Sequence, residues 1–238
     1  MAIKVQMIAH TPEPEKVIAA SANLCYNAIG ASEIYETLTD KKVESLVSRM
    51  VASGHHSTLE HVSFTFAIEG ISRACTHQLV RHRIASYSQQ SQRYVKAEGF
   101  KEAAIKPNTI AKNPEASAEF DKLMDQAAEV YNKLVELGVP AEDARFVLPN
   151  AAETKIVVTM NARSLLHFFE ERCCTRAQWE IRAMANEMLR QCKEVAPILF
   201  AKAGPTCVTQ LLCHEGKMSC GRLEAILAAK KAEEEAKK

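Results

Sequence analysis

The densest chemistry in this chain is the run Arg81-His82-Arg83-Ile84-Ala85-Ser86-Tyr87-Ser88-Gln89-Gln90-Ser91-Gln92-Arg93-Tyr94. Two guanidiniums flank an imidazole, and a turn of hydroxyls and amides leads to a further arginine. A guanidinium presents paired N–H donors that match a phosphate bidentately, and short hydroxyl and amide groups hold the edge of a polar ring. The run therefore reads as a cradle for a nucleotide. Two other readings use the same residues: a solvated basic helix end, and a nucleic-acid patch. Against the patch, the run is poor in lysine, the usual source of sequence-independent phosphate affinity, and rich in short groups suited to one small ligand.

The whole chain sets bounds on that site. Its 238 residues, 47% of them apolar, suffice for one sizeable core or two small ones sharing an interface. A net charge of +1, from 30 Lys and Arg against 29 Asp and Glu, argues against a surface built throughout to coat nucleic acid or an acidic membrane. An anion site must therefore be local. No apolar run approaches membrane-spanning length, and Met1 to Pro12 lacks the basic and apolar blocks of a signal peptide, so the expectation is a cytoplasmic protein with no membrane partner. Cys25, Cys75, Cys173, Cys174, Cys192, Cys207, Cys213 and Cys220 are then expected as free thiols.

The elements that must position the cradle follow from periodicity. Ile3, Val5 and Met7 alternate with Lys4 and Gln6 as in a half-buried strand, and Thr11-Pro12-Glu13 opens a helix with Val17, Ala20 and Leu24 inward. Lys41 to Ala52 is a second helix, with Gly54 placed as its C-cap. Val62 to Ile68 alternates as a strand that Gly70 ends, and Ile71 to about Ile84 reads as a donor-rich helix. Lys96 to Pro114 reads as a long loop, and Leu123 to Leu137 as an amphipathic helix. Ala141 to Phe146 is a short helical turn, and Lys155 to Met160 a β-branched strand. Asn161 caps a helix to about Cys173, and Ala177 to Val195 is the longest helix, apolar at Ile181, Ala185, Met188, Leu189 and Cys192. Ala228 to Lys238 is a charged tail expected to fray. Few strands and long helices predict an α+β fold, a single domain whose antiparallel or mixed sheet is packed by helices.

Arg81-His82-Arg83, seven residues and then Ser91 resembles the signature of the flavin-dependent thymidylate synthases. The resemblance extends to Gly54 to His61, to Asp143 to Pro149, and to Asn161-Ala162-Arg163-Ser164 with Ala177 to Glu180, and so covers most of residues 1–200. It implies a synthase domain over 1–200, followed by a Cys-rich extension with a charged helical tail over 201–238. For the substrate dUMP it implies contacts from Gln78, Leu79, Val80, Arg81, Gln89, Gln90, Ser91, Gln92, Arg93 and Arg145, with Arg81, Arg93 and Arg145 facing the phosphate. Arg172 matches the catalytic arginine, which contacts the uracil and stabilises negative charge on the ring. For FAD the resemblance implies His55, Ser57, Glu60, Arg81, His82, Arg83, Gln89, Asn161, Ala162, Arg163 and His167. It also implies a homotetramer with flavins at subunit interfaces. No GxGxxG run follows a strand, so the flavin is not expected in a Rossmann site. Two departures bear on the flavin contacts: Glu171 stands where an apolar residue is usual, and Arg176 where some members have histidine.

The activity so implied is reductive methylation of dUMP to dTMP, with methylenetetrahydrofolate as carbon donor, NADPH or NADH as reductant, FAD passing on the hydride, and no cysteine nucleophile. Two alternatives use the same cradle: an FAD-dependent NAD(P)H oxidoreductase that transfers no carbon, and a nucleic-acid-binding module. Several residues also have plain structural readings. Glu60 caps or pairs, Trp179 is a core residue, and Arg172 pairs with Glu170 or Glu171. His55, His56 and His61 lack a regular metal-ligand spacing. In the tail, Cys207, Cys213 and Cys220 are either a soft set for Zn²⁺, completed by Cys173 or Cys174, or ordinary thiols; no CxxC pair is present.

Overall fold

The computed structural model describes residues 3–97 and 99–236. Its helices and strands follow in the order β1 (Lys4–His10), α1 (Pro14–Leu24), α2 (Ala31–Thr37), α3 (Asp40–Ser53), a 3-10 turn (His56–His61), β2 (Ser63–Ser72), α4 (Arg73–Leu79) and β3 (Ala85–Gln89). Then come α5 (Phe100–Ala103), α6 (Asn108–Ala111), α7 (Pro114–Glu136), α8 (Ala141–Ala144), a 3-10 turn (Arg145–Val147), β4 (Glu153–Asn161), α9 (Ala162–Arg172), α10 (Trp179–Val195), α11 (Thr206–Thr209), a 3-10 turn (Gly216–Met218) and α12 (Arg222–Ala236). The fold is α+β, with one antiparallel sheet in the order β1-β2-β4-β3.

The chain divides into two compact units, one comprising Ala67–Val158 with the first residues through Val5, the other Gln6–Phe66 and the chain from Thr159 onward. In the first, α7 carries Phe120, Met124 and Ala127 against Phe100, Leu148 and Ala152. Helix α7 starts at Pro114, where a missing N–H costs nothing, and Asn113 accepts the N–H groups of Glu115 and Ala116. In the second unit α1 packs on α3, and α9 on α10 and on the His56–His61 turn. There Phe64 and Phe169 meet Phe200 edge to face at 5.5 and 5.9 Å between centroids. All five apolar positions expected on α10 are buried.

Several expectations change. Strand β2 does not end at Gly70 but continues to Ser72, because the Gly70 N–H donates to the Glu153 carboxylate at 2.9 Å. The N–H groups of Arg73 and Ala74 then reach the carbonyls of Ala152 and Asn150. The helix after it is shorter than its donor-rich text predicts. It begins where the Ser72 hydroxyl accepts the Cys75 N–H at 3.0 Å and stops at Leu79, so Ile84 is outside it. Residues 85–89, expected as part of a turn past that helix, form strand β3, whose pairing the local sequence does not advertise. The loop expected over 96–114 holds two single-turn helices, α5 and α6, and α2 had no signal in the sequence. Leu24, expected on the inward stripe of α1, is 45% exposed, whereas Ile18, Ala19 and Ala22 are buried. The charged tail is helical through Ala236, and Lys237 and Lys238 lie outside the described residues. Among the described residues no helix is long and apolar enough to cross a membrane.

Candidate functional site

The expected site residues fall into two groups, one in each unit. In the first unit the shortened α4 decides the geometry. Tyr87 on β3 donates its hydroxyl back to the carbonyls of Leu79, at 2.9 Å, and His82, at 2.7 Å. These bonds hold the turn that carries Arg81, His82 and Arg83, and burial pushes the Tyr87 phenol up to about 12. Arg81 and Arg83 project outward as exposed side chains, with His82 half-buried. Gln78 is half-buried, Leu79 buried and Val80 exposed.

Gln89 faces inward. Its amide donates to the hydroxyls of Thr76 at 3.1 Å and Thr154 at 3.2 Å, so it ties α4, β3 and β4 together. The backbone N–H of Gln90 pairs with the Lys155 carbonyl at 2.9 Å. Gln90, Ser91 and Gln92 then line a cavity of about 470 Å³, walled on its apolar side by Phe100 and Leu148. Ser91 shapes the turn that follows: its hydroxyl accepts the Arg93 N–H at 3.2 Å.

Two of the three cations expected to face phosphate, Arg93 and Arg145 but not Arg81, meet at one acidic residue. Arg93 donates Nε to the Glu142 carboxylate at 2.8 Å, and Arg145 donates Nε to the Glu142 backbone carbonyl at 3.0 Å. Helix α8 and the following 3-10 turn bring Glu142 and Arg145 together, and the Ser91 turn brings Arg93 to them. A third arginine, passed over in the sequence, belongs with these. Arg73, at the start of α4, has its ionisation held down by burial and by the charge of Arg145. Two guanidiniums that repel one another, beside a third occupied by a carboxylate, make an anion-accepting corner. In the sequence Arg73 is one donor among several on a donor-rich helix. The signal that marks it is tertiary, because Arg145 reaches it from a distant part of the chain.

The second group lies on the His56–His61 turn and α9. Asn161 caps α9 by accepting the Ser164 N–H at 2.8 Å, and the buried Ala162 donates its N–H to the Val62 carbonyl at 2.9 Å. The cap is a structural use of Asn161, worth about 1 kcal/mol. Glu60 pairs with Arg163 of α9. His55, Ser57 and His167 are exposed, and His55 also borders a cavity of about 450 Å³ with Tyr26 and Arg49. Arg163 and His167 are one turn apart and share a face of α9. Arg172 is the last residue of α9, half-buried and about 140° further round the helix than His167, so it addresses a different side. Of its expected partners, Glu170 accepts from Thr209 at 3.3 Å and Gln210 at 3.2 Å. Arg176 pairs with Glu215 at 3.8 Å.

These donors suit a dinucleotide cofactor. A cation and an imidazole stand exposed on the first two turns of an eleven-residue helix, and a second imidazole and a hydroxyl are exposed at the start of the 3-10 turn that packs on it, groups that favour phosphate oxygens. Neither Cys75 nor Cys173 resembles an activated nucleophile: Cys75 is fully buried, and burial pushes the Cys173 thiol up to about 12. Among the described residues no three His, Cys, Asp or Glu side chains are arranged to hold a metal ion, Cys207, Cys213 and Cys220 included.

Known proteins place this arrangement in a family. Residues 6–198 match the family model described as thymidylate synthase complementing protein. Among similar proteins, the flavin-dependent thymidylate synthase of Geobacter sulfurreducens is 55% identical over 92% of this chain and 94% of its own. The protein of the same name from Clostridium tetani is 50% identical over 93% of this chain and 94% of its own. That of Pyrococcus furiosus is 44% identical over 90% of each. With most of the chain matched on both counts, it belongs to the family of flavin-dependent thymidylate synthases.

Proposed function

We propose that this protein makes dTMP by reductive methylation of dUMP, with FAD as its cofactor. The observation that carries the reading is the anion corner: Arg93 and Arg145 drawn onto Glu142, with Arg73 charged and crowded beside Arg145. Such a corner suits a phosphate dianion, which displaces the Glu142 carboxylate from Arg93 and meets the charge of all three guanidiniums. Gln90, Ser91 and Gln92 run from that corner along a cavity wall, a length of chain suited to a nucleoside. Gln78, Leu79, Val80 and Arg81 complete the substrate set in this reading. Gln89 acts there by holding α4 and β3 in register, since its amide is spent on Thr76 and Thr154.

Arg163, His167, His55, Ser57 and Glu60, with Asn161 and Ala162 at the helix start, are the residues we assign to FAD, and Arg81, His82 and Arg83 are assigned to it on the family resemblance alone. When bound, the flavin supplies hydride taken from NADPH or NADH, and methylenetetrahydrofolate supplies the carbon. The chain itself binds, orients and polarises. Arg172 places a permanent cation against the uracil ring and stabilises the negative charge that builds there, which takes the place of a cysteine thiolate attacking the ring. The buried Cys75 and Cys173 support that route. A homotetrameric assembly, a preference for NADPH and a cytoplasmic location belong to the same reading and rest on the family resemblance. The oxidoreductase without carbon transfer is the weaker reading, because it leaves the anion corner without a use.

The test is Arg172→Ala in protein that retains its flavin absorbance and melting temperature. Loss of one positioned charge at a developing anion lowers turnover by about 100-fold or more. Near-normal dTMP formation overturns the assignment of Arg172.

A further inference from the structure

The C-terminal segment gathers thiols around one cavity, and the synthase chemistry gives those thiols no role. Cys174, Cys207, Cys213 and Cys220 all line one space of about 270 Å³ within the second unit, and all four are free thiols. They are not equivalent. Cys207 sits in α11, buried, with its thiol pushed up by that burial, and it feels the charges of both Cys174 and Cys220. Cys220 is exposed, just before α12. The Thr175 hydroxyl is buried at the cavity wall with no hydrogen-bond partner of ordinary geometry among the described residues. It draws the Cys220 thiol below its usual range, and the backbone N–H and charge of Arg222 act in the same direction. A thiol drawn toward ionisation and open to solvent, sharing a cavity with one that burial holds back from it, is the division of labour between an attacking and a resolving cysteine.

We propose that Cys207 and Cys220 form a peroxide-sensitive dithiol that closes to a disulfide across this cavity. The Cys220 thiolate attacks a peroxide oxygen, the O–O bond breaks, and the leaving oxygen takes a proton to depart as water or alcohol. Cys220 is left as the sulfenic acid. The Cys207 sulfur then attacks the Cys220 sulfur, the S–O bond breaks, and hydroxide leaves with the Cys207 proton as water. Two thiols lose two electrons in all, and one peroxide gains them. The segment closed by the new bond includes Thr209 and Gln210, which hold Glu170 on α9, so the change reaches the helix that ends at Arg172.

The full chain, reduced and then freed of reductant, is treated with one equivalent of hydrogen peroxide, alkylated with iodoacetamide, and mapped as peptides by mass spectrometry. The expected result is a linked pair of peptides containing Cys207 and Cys220, and two fewer alkylated thiols per chain. Cys220→Ser abolishes that loss, whereas Cys25→Ser, at an exposed thiol remote in sequence, retains it. Because a cavity substitution could disturb folding, alkylation rates of the unaltered protein provide a second readout: near pH 7 Cys220 reacts several-fold faster than Cys25. Equal rates at the two, oxidation of Cys25 first, or sulfinic acid at Cys220 with no bond formed each overturns the proposal. So does protein that arrives with a thiolate-bound metal shielding all four thiols. None of these readouts depends on the methylation activity.

Discussion

Glu142 is the residue whose removal separates a binding corner from a structural one. Its carboxylate meets Arg93 at 2.8 Å with the two side chains 51% and 48% exposed. An ion pair that open to water contributes about 0.2–1 kcal/mol. If the phosphate of dUMP must break this pair to reach Arg93, replacing Glu142 by Gln removes that cost and one repelling charge. The bond from Arg145 to the Glu142 backbone carbonyl survives the change. By the conversion of about 1.4 kcal/mol per factor of ten, dUMP then binds about 1.4- to 5-fold more tightly. The melting temperature changes by no more than a few degrees, because the pair stabilises the fold so little. Titration calorimetry with dUMP at low and moderate salt measures the first quantity, and a thermal melt the second. Weaker dUMP binding in Glu142→Gln would refute the reasoning, since it would mean that Glu142 holds the arginines in place rather than competing for them.

Two further substitutions probe the same unit. Arg73→Gln removes a guanidinium that repels Arg145 in the free protein but helps to hold a dianion, so dUMP affinity falls by about 10- to 100-fold while the melting temperature holds or rises. A lower melting temperature with unchanged dUMP binding would make Arg73 structural. Tyr87 has a folded-state value of about 12 against an ordinary 10, so its phenol stays neutral in the fold at pH values where the unfolded chain ionises. The stability this gives is complete below about pH 10 and is lost as pH rises toward 12. Tyr87→Phe therefore flattens the alkaline limb of a stability–pH curve, and an unchanged limb would show that the hydroxyl is not the titrating group.

How much could be read from the sequence depended on the range of the interactions involved. Asn161 as a cap, the alternation of β4 and the buried stripe of α10 are local patterns, and each appears where the residues predict it. Strand β3 was hidden because Ala85 to Gln89 has no apolar alternation. Pairing with β4 and the bond from Gln89 to Thr154 make it a strand, and these partners lie some 65 residues away. The donor-rich run suggests a nucleotide cradle from its side chains alone. Its shape was not legible there, because Tyr87 folds the Arg81 turn back onto α4. Glu142 and Arg73 were invisible for the same reason: their roles arise from Arg93 and Arg145, which reach them through tertiary structure.

The central claim is carbon transfer to dUMP at a flavin-bearing protein. The most direct measurement is release of tritium from [5-³H]dUMP by the purified protein, with its bound flavin verified by absorption, in the presence of methylenetetrahydrofolate and NADPH. The account predicts tritium release matched by dTMP formed, abolished when folate is withheld from dTMP formation. Flavin-dependent consumption of NADPH with no tritium released and no dTMP formed would contradict it.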